Sequence, residues 1–194
     1  MSAVIERDFT FQAGVYFNDT VLLNFYEFTL EMIVNTEDIR EQNIAMDRIK
    51  FLVEECLDSI FFIHNEEEEL IEKFSDCGLR VCTIPEEPYD QIIALLLLYK
   101  FDTVCENKLK MVDIKLTSKL SDGVKFKENI ETAEHTFLKD SWWSQNNYSF
   151  SKQRNTKGKV VKITNKTDWN DIGLSWKERN KKPTQIVFSA EPEK

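Results

Sequence analysis

The side chains best placed for chemistry come first at residues 84–90, "IPEEPYD", which gather Glu86, Glu87 and Asp90 within a short turn. Carboxylate oxygens grouped in this way suit a hard divalent cation. The same residues also spell a helix start. A residue before proline avoids the helical region, and proline fits the first helical position. Glu87 then precedes a helix, Pro88 opens it, and Asp90 lies in its first turn, where the helix dipole favours acids. This capping role accounts for every residue of the turn, and metal binding by Glu86, Glu87 and Asp90 is the alternative.

A second candidate is "VDIK". Asp113 and Lys115 stand two apart on an alternating stretch. The pair is similar to the Asp/Glu-x-Lys half-motif of metal-dependent nucleases, in which the acid binds Mg²⁺ and the lysine steadies the attacking water or scissile phosphate. The fuller pattern needs a further acid on an adjacent strand, and no Pro-Asp dipeptide supplies it. The plainer use of Asp113, Lys115 and Thr117 is the wet face of an amphipathic strand. The cysteines add little. Cys77 and Cys82 are the only close pair, and the two histidines, His64 and His135, are not paired as a structural zinc site requires. No cofactor is expected.

The third candidate is compositional. All four tryptophans, Trp142, Trp143, Trp169 and Trp176, lie in the last third of the chain, among "SKQRNTKGK" and "KERNKK". Aromatic rings among basic residues anchor protein interfaces or stack nucleic-acid bases, and they also serve plain packing onto a core. Charge sharpens the contrast. Residues 1–106 carry 7 basic and 23 acidic residues, a net −16; residues 107–194 carry 18 and 11, a net +7. The leading expectation is a non-enzymatic interaction or assembly protein. Trp142, Trp143, Trp169 and Trp176 would anchor another protein, or a second copy, and Lys157, Lys159, Lys162 and Arg179 would steer it. A Mg²⁺-dependent nuclease or nucleic-acid-binding protein using Asp113 and Lys115 is the alternative, opposed by the acidic region, which repels nucleic acid unless it faces away.

The elements that must position these groups follow from periodicity. Phe9, Phe11, Ala13, Val15 and Phe17 share one parity, "NDT" turns the chain, and Tyr26, Phe28, Leu30, Met32 and Val34 share the next, so a one-sided antiparallel hairpin is expected. Residues 35–64 switch to a helical period, with Ile39, Met46, Ile49, Leu52, Val53, Cys56, Leu57, Ile60 and Phe61 on one stripe and Asn35 or Thr36 as cap. A short helix around Leu70, Ile71 and Phe74 ends at Gly78, "LRVCTI" is a short strand, and a second long helix runs from Pro88 to about Glu106. In "LKMVDIKLTSKL" Met111 holds one parity and Val112, Ile114 and Leu116 the other; "SDG" turns into a partner strand, "VKFKEN". "GKVVKITNK" and "TQIVFSA" also have strand patterns. The expected class is α+β, a mostly antiparallel sheet with two long helices packed on it. Residues 1–130 form the core domain and residues 131–194 an ordered basic, aromatic extension. The longest apolar run, residues 92–99, is far short of the ~20 residues a membrane span needs. With no signal-peptide pattern at the start, the cytoplasm is the expected compartment, its four cysteines reduced.

"PEEPYDQI", the "LSDGVKF" turn and the paired "WW" resemble small conserved proteins of large tailed bacteriophages, over most of residues 9–145. That resemblance implies a phage-encoded protein acting in the host cytoplasm or built into the virion. It implies no activity, cofactor or site residue.

Overall fold

The structure, a computed structural model, describes residues 3–133, 141–150 and 168–177. The predicted strands "GKVVKITNK" and "TQIVFSA" lie outside the described residues. Strands β1 (Val4–Phe17) and β2 (Thr20–Val34) form a long hairpin in unbroken register, from Val4 opposite Ile33 to Phe17 opposite Thr20. Asn18 and Asp19 turn it with φ of 49° and 59°. Two successive positive φ values match the twist of the flanking strands, and Asn and Asp tolerate them best among side-chain-bearing residues.

Helix α1 (Ile39–Phe51) follows, then a π-helical turn (Leu52–Leu57) and strand β3 (Ile60–His64). The expected single helical stripe over residues 35–64 is therefore corrected. Asp38, not Asn35 or Thr36, caps α1, its carboxylate accepting from the Arg40 N–H at 2.8 Å. Ile39 is 71% exposed and faces away from the core. Ile60 and Phe61 belong to a strand whose two faces are both covered. Ile60 and Phe62 join the main core, while Phe61 packs edge-on against Phe74 of helix α2 (Glu68–Asp76) at 5.1 Å. A strand buried on both sides reads as a continuous apolar run, which a helical template also fits.

Strand β4 (Val81–Ile84) runs parallel to β3, and β3 runs parallel to β1. Helix α3 (Asp90–Cys105), β5 (Leu109–Ser118) and β6 (Lys125–Asn129) complete the elements. The result is an α+β fold with a six-stranded mixed sheet, order β4-β3-β1-β2-β5-β6, and three α-helices among the described residues. The β2/β5 and β5/β6 pairs are antiparallel; the β3 and β4 pairings are not. The change of parity within β5 has a physical cause. Glu31 pairs with Asp113 and Met32 with Met111, so Val112 is an extra residue, a bulge. It lets Met111 and Ile114 both point into the core.

The core lies between one sheet face and α1 and α3. Phe11 stacks on Tyr26 at 4.8 Å and Phe28 on Phe101 at 5.8 Å. Helix α3 is buried nearly all round, from Ile92 to Cys105, as its uninterrupted apolar run requires. Among the described residues, helix α2 covers the opposite sheet face near β3 and β4. There the Phe61 ring lies directly over Gly14, where an added Cβ would stand 2.3 Å from Cδ1. No helix among the described residues is long and apolar enough to cross a membrane.

Candidate functional site

The acidic turn resolves into anchoring contacts. Helix α3 begins at Asp90 with Tyr89 as its cap, so Pro88 stands before the helix and not at its first position. The Asp90 carboxylate reaches across to β5, where it accepts from the Ser118 hydroxyl at 2.6 Å. Partial burial raises its pKa, and the Ser118 bond opposes the rise. Beyond it lies the phenol of Tyr26, fully buried and without a hydrogen-bond partner among the described residues. Burial first, and the Asp90 charge second, push its pKa well up. Asn24 completes this polar end of the core, accepting from the Leu120 N–H at 3.1 Å. Glu86 is exposed and Glu87 half-buried. No group of three metal-ligating side chains comes together among the described residues, at this turn or elsewhere.

Asp113 and Lys115 share the outer sheet face but do not converge. Asp113 is only 2% exposed, against its expected place on a wet face. Its Oδ2 takes Lys127 Nζ at 2.8 Å, and Oδ1 is buried without a hydrogen-bond partner among the described residues. Lys115 turns instead to Glu6 on β1, at 3.4 Å. Asp113 is thus committed to a strand-to-strand ion pair, and Lys115 points its charge elsewhere.

The tryptophans are placed in the core. Trp142, Trp143 and Trp169 are buried, and Trp176 is half-buried. The Trp142 indole N–H donates to the Thr83 carbonyl at 2.8 Å, on the side of β4 away from β3. Their rings are therefore occupied by the chain's own packing instead of facing outward as partner anchors. Lys157, Lys159, Lys162 and Arg179 lie outside the described residues.

Two buried cations hold these segments down. Lys100 of α3 is fully buried, and its Nζ donates to the Trp142 and Gln145 carbonyls, each at 2.8 Å. Burial lowers its pKa to about 7, against weak support from the Cys82 and Cys56 thiols. A neutral amine has two N–H donors, which match those two carbonyls. Arg48 of α1 does the same for residues 168–177. Its guanidinium stacks 3.9 Å from the Trp176 ring and 4.7 Å from that of Trp169, and donates to the Leu174 and Val104 carbonyls and the Glu106 carboxylate. Burial would raise the Glu106 pKa, but bonds from Trp176, Arg48 and Asn146 prevail and lower it. Neither cation was singled out from sequence. The available signal was Lys100 itself, a charge inside "LLLLYKF" on a helix apolar all round.

A concave feature among the described residues lies on the outer sheet face. Beyond the end of β5, the β1–β2 hairpin and the turn at residues 119–123 enclose an open depression of about 680 Å³, lined among others by Gln12, Leu23, Phe25, Glu27, Thr117 and Lys119. Leu23 at its rim is 79% exposed, and Val21, two residues before it on the same strand face, is 43% exposed.

No protein-family model and no curated protein matches the chain. Among solved structures, an uncharacterized protein from Wolinella succinogenes is similar at 12% identity and a TM-score of 0.49, covering 67% of this chain and 99% of its own. A catalytic-residue mutant of 6-pyruvoyltetrahydropterin synthase from Plasmodium vivax is similar at 14% identity and a TM-score of 0.42, with the same coverage. Neither likeness carries an argument about function.

Proposed function

We propose that this chain is a non-enzymatic interaction or assembly protein, and that it meets another protein, or a second copy of itself, on the outer sheet face at the end of the β1–β2 hairpin. The observation that carries the reading is Leu23, a large apolar side chain 79% exposed at the rim of the depression. Scattered exposed apolar residues are ordinary, but Leu23, Val21 and the half-buried Phe25 lie on one strand face beside a concavity. Apolar anchors seated beside a polar rim are the usual anatomy of a protein contact. Gln12, Glu27, Thr117 and Lys119 supply such a rim here. The phage context implied by the resemblance fits an assembly role and is part of the proposal. The nuclease alternative draws no support from Asp113 and Lys115, whose charges go to separate partners.

The test is Leu23→Lys in the full chain. Sedimentation velocity over a range of concentrations reads self-association, and affinity capture from a cell extract reads a foreign partner. The substitution is expected to abolish self-association, or the capture of at least one protein, with unchanged circular dichroism. A chain that stays monomeric, and that captures the same proteins with and without Leu23→Lys, overturns the proposal.

A further inference from the structure

Among the described residues the hairpin leaves one backbone edge open. Strand β2 pairs with β1 along its whole length, but on its other side β1 pairs with β3 only through Ala13, Gly14 and Val15. The direction of the free groups is set by Gln12. Its carbonyl accepts from the Ser59 N–H at 2.7 Å, and its N–H donates to the Asp58 carboxylate, so its backbone groups point away from β2. Alternation along a strand turns the N–H and C=O groups of Val4, Glu6, Asp8 and Thr10 the same way. None of these backbone groups has a hydrogen-bond partner among the described residues. The open edge is seven residues long, about 20 Å at strand spacing.

The other two edges are blunted by devices that this one lacks. On β4 the Trp142 indole occupies the Thr83 carbonyl. On β6 the edge is five residues long and carries Lys125 and Lys127. Short strands, lysines and covering groups are the ordinary devices against edge-to-edge pairing. Residues 4–10 of β1 contain no proline, no lysine and no bulge.

The flanking side chains select what can add there. On the outer face Glu6, Asp8 and Thr10 are exposed; on the core side Arg7 is exposed and Phe9 buried. Lys115 approaches Glu6 at 3.4 Å, and the Thr29 hydroxyl donates to Asp8 at 2.6 Å, which leaves both carboxylates further acceptor capacity. A second copy of the same edge is a poor match. Antiparallel self-pairing centred on Glu6, Arg7 or Asp8 puts that residue opposite its own copy. Centring on Arg7 also sets Glu6 against Asp8. Like charges directly opposite destabilise a ladder. A strand with Lys or Arg opposite Glu6 and Asp8 is favoured at the same positions. The net −16 of residues 1–106 draws such a segment in.

We propose that the open edge of β1, residues 4–10, is a strand-addition site for an extended basic segment of a partner protein, with Lys or Arg at alternate positions and small or apolar residues between. Main-chain hydrogen bonds supply the affinity, and Glu6 and Asp8 select the charge. This site is separate from the hairpin end where Leu23 lies, so Leu23→Lys leaves it intact.

The probe is a synthetic peptide, Lys-Val-Lys-Thr-Lys-Val-Lys, added to the full chain, with amide hydrogen exchange as readout. Protection is expected at Glu6, Asp8 and Thr10. Binding should weaken with salt and fall roughly tenfold or more in Glu6→Lys/Asp8→Lys. Both residues are exposed, so the fold should persist, with circular dichroism as the check. A peptide N-methylated at alternate amides keeps the charge and loses the ladder, and is expected not to bind. The proposal is overturned if a peptide with its lysines clustered protects the same amides equally, if the N-methylated peptide still binds, if no protection appears at millimolar peptide, or if the chain alone protects that edge by dimerising.

Discussion

Replacing Lys100 by methionine tests the reading of the buried amine. In the folded protein its pKa is lowered from 10.5 to about 7, chiefly by burial. A base whose folded pKa lies below its unfolded value makes the unfolded state bind more protons between the two values, so stability rises with pH across that window. Below about pH 7 the fold carries the full cost of a buried ammonium, on the order of 5 kcal/mol. Above it, that cost shrinks by about 1.4 kcal/mol per pH unit. Methionine removes the cost at every pH but deprives the Trp142 and Gln145 carbonyls of their donors, a loss of about 1–3 kcal/mol. Lys100→Met is therefore expected to be the more stable protein at pH 6, by about 2 kcal/mol, and to lose that advantage by about pH 9. Urea unfolding of both proteins at half-unit steps from pH 6 to 9 measures this difference. The thiols of Cys56, Cys82 and Cys105 have raised pKa values, so their stability contribution falls as pH rises past the unfolded thiol value. They are present in both proteins and largely cancel. A stability difference that stays flat from pH 6 to 9 refutes the reasoning, because it means the amine titrates alike in the folded and unfolded chains.

Two further substitutions probe the packing. Gly14→Ala sets a methyl group 2.3 Å from the Phe61 ring and is expected to cost about 1–3 kcal/mol in thermal or urea unfolding, with partial recovery when Phe61→Leu is added. Arg48→Met removes the cation between Trp169 and Trp176 and leaves the Leu174 and Val104 carbonyls and Glu106 without it. A loss of about 3–5 kcal/mol is expected, together with a red shift of tryptophan fluorescence and faster amide exchange over residues 168–177. Arg48→Lys should recover little of it, since a lysine cannot stack or fork as the guanidinium does.

Local pattern decided much of the architecture. The alternation from Phe9 to Val34 with Asn18 and Asp19 between is sufficient for the hairpin, because one face of it meets the core and the other meets water. The apolar run at residues 92–99 is enough to place α3 in the centre, since no face of that helix can be left in solvent. Even the bulge at Val112 was written in the change of parity, although only the register with β2 shows its cause. Other features depend on what the chain meets at long range. Ile60 and Phe61 fit a helical stripe and a buried strand equally well, and the strand prevails because β1 and β4 flank it and Phe74 covers Phe61. The tryptophans carry the same composition whether they face a partner or a core; contacts with Thr83, Arg48 and Lys100 put them inside. Asp113 and Lys115 keep their spacing on any strand, yet Lys127 and Glu6, brought in by neighbouring strands, draw their charges apart. Among the described residues, the depression beside Leu23 and the open edge of β1 arise because β5 and β3 stop short along the hairpin. Sequence periodicity reports which face of an element is apolar, and only the tertiary structure determines which neighbour reaches that face or where an edge is left unpaired.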